Sequence, residues 1–313
     1  MDEVGAYLLR RLGYMLVTLL VIATATFFLM KMLPGTPFNN DRLNDQQLAN
    51  MNAKYGLDQP VAIQYLKYMS NLVQGDLGDS YKYVGRSVTE VISERIGPSA
   101  LIGFQALIVG TLVGLALGVT SALRHNSLLD YTSVTLAVLG MSIPSFIFAA
   151  LLQYYVGLKW GLLPPALWKG YEYTILPTLA LSVTVIATVA RFIRTEMLDV
   201  INQDYVMTAQ AKGLNQRKVI IRHVLRNALI PVVTMLGPLA VNIMTGTLVI
   251  EKIFSVPGLG EQFSLSVIVN DYSVIMGITL FYSFLFIFMV FIVDILYGLL
   301  DPRINLRGGS QKG

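Results

Sequence analysis

Along the chain, long stretches without charge alternate with shorter polar and basic ones. An α-helix rises 1.5 Å per residue, so about 20 apolar residues cross the hydrocarbon core of a bilayer. Six stretches follow that pattern, at approximately 12–30, 99–123, 131–158, 175–190, 228–250 and 274–300. The fourth is short, and Arg191 and Arg194 blur its end. Each is apolar around its whole circumference, as lipid contact on one side and bundle packing on the other require. The pattern predicts an all-α polytopic membrane protein with six transmembrane helices and an external segment after the first. It divides into an anchor helix (1–33), the external segment (34–97), a five-helix core (98–300) and a tail (301–313). Within the external segment, Tyr55-Gly56-Leu57-Asp58-Gln59-Pro60 and Gly75-Asp76-Leu77-Gly78 read as turns. Between them, helical spacing over 61–73 predicts a short amphipathic helix.

Composition sharpens this picture. The 313 residues are 54% hydrophobic and only 13% charged, about half the charge of an average soluble domain. Mean hydropathy is +0.61. A disordered chain is excluded and a soluble enzyme disfavoured. With no cysteine there is no disulfide scaffold, thiolate metal site or cysteine nucleophile. His125 and His223 lie far apart in sequence, so no metal site is expected.

Lysine and arginine in short loops set orientation. With the N-terminus inside, the inner side holds Arg10, Arg11, Arg124, seven basic residues between Arg191 and Arg226, and Arg303, Arg307 and Lys312. The short outer loops hold Lys159, Lys169 and Lys252. Both termini are therefore expected to be cytoplasmic. Arg10 and Arg11 before an apolar stretch also suit a signal peptide. Lys31 and the Pro34-Gly35-Thr36-Pro37 turn follow it instead of a small-residue cleavage site, which favours a retained anchor.

The spans offer little chemistry. Asp294 is the ionisable residue inside them, and a lone carboxylate lacks the partner a proton relay needs, so it reads as a hydrogen-bonding group near the inner interface. No Gly-Lys dipeptide occurs, which excludes a Walker A loop, and no hydrolase motif is present. Uphill transport by this chain would need energy from a partner. A passive channel or scaffold is the rival of another class. Gly110, Gly114 and Gly118, at four-residue spacing, predict a close helix–helix contact. Pro144, in Ser142-Ile143-Pro144-Ser145, should kink the third span. That kink either lines a cavity or bends a packed helix. Ser142, Pro144 and Asn242 are the candidate residues of a translocation path.

The richest signal is the loop at 191–227, which holds 7 of the 23 basic residues. Asp204 suits an N-cap, Thr208 and Ala209 are small, and Gly213 suits a C-terminal stop. Asp204–Leu214 is predicted as a short, low-profile helix able to enter a groove on another protein. The positive-inside effect accounts for the charge of the loop but not for this capped helix.

These residues resemble the membrane subunits of ATP-binding-cassette importers, specifically the B-type permease of the oligopeptide, dipeptide and nickel group. Gly213 matches the glycine of that family's loop signature and Ala209 its second alanine. Met207 and Thr208 stand where the signature has glutamate and alanine, and Leu225-Arg226 replaces a Leu-Pro. The stretches 55–60, 75–78, 223–228, 253–260 and 301–303 fit the same group. The resemblance implies a type I importer transmembrane domain in a bacterial plasma membrane. It implies a second homologous permease, two cytoplasmic ATPases that bind ATP and Mg, and an external peptide-binding protein. Besides membrane lipid no other partner is implied, and no nucleic acid. This chain itself would hold no cofactor and no catalytic residue. Its coupling helix would use Asp204, Tyr205, Met207, Thr208, Ala209, Ala211, Lys212, Gly213, Leu214 and Arg217. Oligopeptides are the expected cargo, with dipeptides or a nickel chelate as alternatives.

Overall fold

A computed structural model describes residues 3–33, 37–38, 44–245 and 248–300, apart from the side chains of 3–8, 242, 244, 245, 293, 294 and 296–300. The side chains of Asn242 and Asp294 and the tail at 301–313 thus lie outside the described residues. In chain order the helices are α1 (Glu3–Met32), α2 (Asp45–Tyr55), α3 (Val61–Val73), α4 (Val88–Leu123), α5 (Leu128–Ser142) and α6 (Ser145–Leu152). They continue with α7 (Glu172–Ile201), α8 (Asp204–Ala211), α9 (Gln216–Val219), α10 (Arg226–Thr245), α11 (Leu248–Phe254), α12 (Leu259–Ile268) and α13 (Tyr272–Leu300). Two π-helical stretches, Gln153–Lys159 and Ile220–Leu225, follow α6 and α9.

Among the described residues five helices are long and apolar enough to cross a membrane, and a sixth span results if the bent pair formed by α5 and α6 is counted as one. The kink expected at Pro144 is a full break, with the two halves 98° apart. Its cause is local. Proline disfavours the helical region for the residue before it, and Ile143 adopts extended angles of φ −91° and ψ 122°. Pro144 then leads α6, where its missing N–H costs nothing.

The chain divides into two compact units, one of 1–97 with 257–287 and the other of 98–256 with 288–313. In the first, α2 begins with a capping box in which Asn44 and Gln47 satisfy each other's backbone N–H groups. The amphipathic helix expected at 61–73 is α3, with the same bounds. It lies along the end of α1, where Tyr65 and Tyr68 pack against Phe27 and the Tyr65 and Thr24 hydroxyls are 2.8 Å apart. Asp271, fully buried at the head of α13, accepts from Ser80 Oγ (2.5 Å), Tyr81 N (3.1 Å) and Lys82 N (3.3 Å). That single carboxylate fastens the turn after α3 onto the bundle. Tyr81, packed beside it, is driven above the usual phenol range chiefly by burial.

In the second unit α7 is the hub, packed by α5, α6, α10 and α11. The glycine face expected on α4 lies against it. A Cβ on Gly110 would come within 2.3 Å of Val185 Cβ, and one on Gly118 within 2.3 Å of the Ala190 carbonyl oxygen. Between lipid-exposed helices there is little hydrophobic drive, so this backbone approach supplies the attraction through dispersion. Gly118→Ala should therefore destabilise the purified chain by about 1–3 kcal/mol or more. Gly13, with nothing within 4 Å of its would-be Cβ, is the control, and Gly13→Ala should leave the thermal midpoint unchanged.

Candidate docking site

Helix α8 is built from a short and legible piece of sequence. Its N-cap is Gln203, with extended φ −78° and ψ 145° and no side-chain cap bond. The expected capping role of Asp204 is thus not met, because Asp204 is already the first helical residue. Its carboxylate still sits in the first turn, where the helix dipole favours negative charge. Thr208 Oγ1 donates to the Asp204 carbonyl at 2.8 Å. The far end is closed as the glycine suggested. Gly213 takes φ +76°, its N–H donates to Gln210 O at 2.9 Å, and Leu214 N–H reaches Ala209 O at 3.4 Å. This pair of bonds is a Schellman cap, and its left-handed residue is where glycine is least strained.

Val206 and Ala209, one turn apart, are buried and join the apolar cluster that contains Ile193, Met197, Val219 and Val224. Ala209 therefore fixes α8 to its own bundle instead of presenting a low-profile surface. The open face carries Asp204, Tyr205, Met207, Thr208, Ala211 and Lys212, followed by Gly213, Leu214 and Arg217, all exposed. Tyr205, Met207 and Leu214 make it apolar at its centre, with exposures of 44%, 51% and 40%. Lys212, Arg217, Lys218 and Arg222 are exposed beside them. Tyr205 does more than face outward, since its hydroxyl accepts from Asn227 Nδ2 at 3.0 Å and ties α8 to the start of α10.

The connection around α8 is more helical than charge suggested. Helix α7 runs through Arg191 and Arg194 to Ile201, and α9, the π-helical stretch and α10 together occupy 216–245 without a break. Hydropathy marks where a bilayer ends, and a helix with satisfied backbone bonds has no reason to stop there. Ser142 and Pro144 are both exposed at the break between α5 and α6, and the Ser142 hydroxyl is spent on Val138 O of its own helix.

Two polar clusters were not foreseen. Asp130, 1% exposed, accepts from Arg194 Nε (2.6 Å) and Nη2 (2.9 Å), Ser121 Oγ (2.5 Å) and Asn126 N (2.9 Å). His125 Nδ1 lies 3.2 Å from its second oxygen. One carboxylate so joins the end of α4, the start of α5 and the stretch of α7 that leads to α8. Ser99 Oγ donates to Glu251 at 2.7 Å, and both residues are buried. The available signals were weak: Asp130 follows the helix-starting Ser127 by three residues, but nothing in sequence links it to Arg194 sixty-four positions on.

The family model described as "Binding-protein-dependent transport system inner membrane component" matches residues 114–306, and its N-terminal companion matches 5–89. The chain belongs to this family. The dipeptide transport system permease protein DppB of Bacillus subtilis is 48% identical over 96% of this chain and 98% of its own length. The oligopeptide transport system permease protein OppB of Escherichia coli strain K12 is 39% identical over 96% and 99%. Two solved transporters share the fold at 15% identity. An amino acid ABC transporter matches with TM-score 0.52 over 69% of this chain and 95% of its own, and an inward-facing methionine ABC transporter with 0.55 over 68% and 97%. The all-α transporter architecture and the multi-pass membrane nature of the chain, both expected from sequence, stand on these matches and on the apolar helices.

The clusters make a stability prediction. Asp130→Ala leaves the partly exposed Arg194 without its counter-charge and the buried Ser121 hydroxyl without its acceptor, and should cost about 1–3 kcal/mol. Pairing it with Arg194→Met should recover much of the loss, measured as the thermal midpoint in detergent. On α8, Val206→Asp should destabilise by about 2 kcal/mol or more, while Met207→Asp, on the open face, should stay within about 0.5 kcal/mol.

Proposed function

We propose that the chain is the non-catalytic permease subunit of an ATP-driven importer of peptides, with α8 as its coupling helix. The carrying observation is the two-sided character of α8. Val206 and Ala209 root it in the bundle, while an apolar centre with basic neighbours stays open. A helix held by one face and bare on the other suits insertion into a groove of a partner. The relatives named for dipeptide and oligopeptide transport support a peptide cargo, with oligopeptides and dipeptides both within the proposal.

In this reading the partners are a second homologous permease, two cytoplasmic ATPases that bind ATP and Mg, and an external peptide-binding protein. The complex sits in the bacterial plasma membrane with both termini of this chain inside. Binding of ATP by the partners must favour one bundle state through contacts that differ between states, and α8 is where those contacts reach this chain. Force on α8 passes to α7 through the Val206 and Ala209 packing and to α10 through the Tyr205–Asn227 bond. Ser142, Pro144 and Asn242 remain the proposed path residues, with the break at Pro144 as a place where a cavity shared with a second permease can open.

Uptake of labelled di- to pentapeptides by cells tests the proposal. Gly213→Asp forces a side chain into φ +76°, at about 1–2 kcal/mol, and distorts the end of the docking face. It should abolish uptake while membrane insertion stays normal. Met207→Asp should lower uptake at least about tenfold and reduce recovery of the ATPases on co-purification, since a charge would enter an apolar contact. Normal uptake by both variants would remove α8 from the mechanism. Recovery of the wild-type chain with no ATPase would favour a channel.

A further inference from the structure

Two cavities in the unit of 1–97 and 257–287 share a wall. One, of about 260 Å³, is lined by Lys31, Lys54, Lys67 and the rings of Phe27, Tyr55 and Tyr68. The other, of about 420 Å³, is a hydrocarbon groove between Leu16 and Leu20 of α1, Leu72 of α3, and Leu280 and Phe284 of α13. Leu77 lines both. A cationic cavity therefore adjoins an apolar groove along the same two long helices.

The charge in the first cavity is open. Among the described residues none of the three lysines pairs with a carboxylate. Lys31 donates to Gln64 Oε1 and lies 5.6 Å from the centre of the Phe27 ring, and Lys54 lies 5.5 Å from that of Tyr55. Each ammonium group has three donors, and the protein itself supplies acceptors for few of them. Asp76 and Asp79 also line the cavity, so three lysines face two carboxylates and the lining keeps an excess of positive charge. The Tyr68 hydroxyl, buried and without a hydrogen-bond partner, is a further polar group in the lining. Burial pushes Tyr68 up to about 12, so the phenol keeps its proton as a donor.

The length of the track fits a leaflet. At 1.5 Å per residue, the helix from Lys31 back to Leu16 spans about 22 Å, and that from Tyr272 to Phe284 about 18 Å. Half of a hydrocarbon core is about 15 Å, and the polar interface takes up the remainder.

We propose that these two cavities form one binding site for an anionic phospholipid. Its phosphate lies among Lys31, Lys54 and Lys67, and an acyl chain lies in the groove between Leu16, Leu72 and Leu280. A free phosphate satisfies only the lysines. A peptide carboxylate does the same but carries backbone amides that the groove cannot hydrogen-bond. A phospholipid satisfies both halves. The site goes beyond peptide import and does not depend on the cargo, because it rests on α1 and α13 as membrane-crossing helices.

Native mass spectrometry of the delipidated full-length chain tests it, with phosphatidylglycerol, phosphatidylcholine of the same chains, and glycerol 3-phosphate as separate probes. Phosphatidylglycerol should be retained at one per chain and at least about tenfold better than phosphatidylcholine. Glycerol 3-phosphate, with the phosphate and no chains, should not be retained. The pair Lys31→Gln and Lys67→Gln should erase the preference for phosphatidylglycerol, and Lys31→Arg with Lys67→Arg should restore it. Leu280→Trp, filling the groove, should weaken retention of both lipids. Equal retention of the two lipids by the wild-type chain would overturn the proposal, as would occupancy by glycerol 3-phosphate alone or displacement of phosphatidylglycerol by a dipeptide. Peptide uptake remains a separate measurement, so failure here leaves the importer reading standing.

Discussion

In hydrocarbon, two helices gain little by hiding apolar surface from each other, since lipid tails are as apolar as leucine. Association then depends on how closely backbones approach, and on the face of α4 that approach is set by glycine. Gly110, Gly114 and Gly118 leave room for Val185, the Ile186 carbonyl and Ala190 of α7. The position of α7 fixes much else in its unit, because α5, α6, α10 and α11 all pack on it. Helix α8 follows it after a turn of two residues. A methyl group at any of the three glycines would therefore be felt well beyond the contact it enters.

Polar groups do a different job in the same unit. Asp130 and Arg194 are costly to bury singly, and their pairing is little evidence of net stability. What the cluster provides is position. Two nitrogens of Arg194, a serine hydroxyl and a backbone N–H converge on one carboxylate, which ties α4, α5 and α7 together at one point. In the other unit Asp271 plays the equivalent part for the turn after α3. Stiffness of this kind is what the coupling role proposed for α8 would need. Helix α8 is joined to α7 by packed side chains and to α10 by a hydrogen bond.

Much of the architecture was legible in the chain because a bilayer imposes simple demands. Charge-free length marks spans, 61–73 carries the spacing of an amphipathic helix, and Gly213 sits where a short helix must end in a left-handed residue. Those are local properties, and local physics enforces them. Proline acts locally too, and at Pro144 its consequence is larger than a kink. A kink was expected and a 98° break is found, because the constraint on Ile143 adds to the missing N–H of Pro144.

What only the tertiary structure decided is which side chains meet. Sequence identified Ala209 as small, but only the packing of α8 turned it inward and left Tyr205, Met207 and Leu214 outward. Sequence counted Arg194 among the basic residues that orient a membrane protein, and the fold makes it the partner of Asp130. Lys31, Lys54 and Lys67 are scattered over 37 positions of the chain and converge on one cavity because α2 and α3 fold back on the end of α1. Span length, helix ends and turn residues depend on neighbours a few positions away, which the sequence contains. Pairings across dozens of residues depend on how helices rotate and approach, and that is set by all their contacts together.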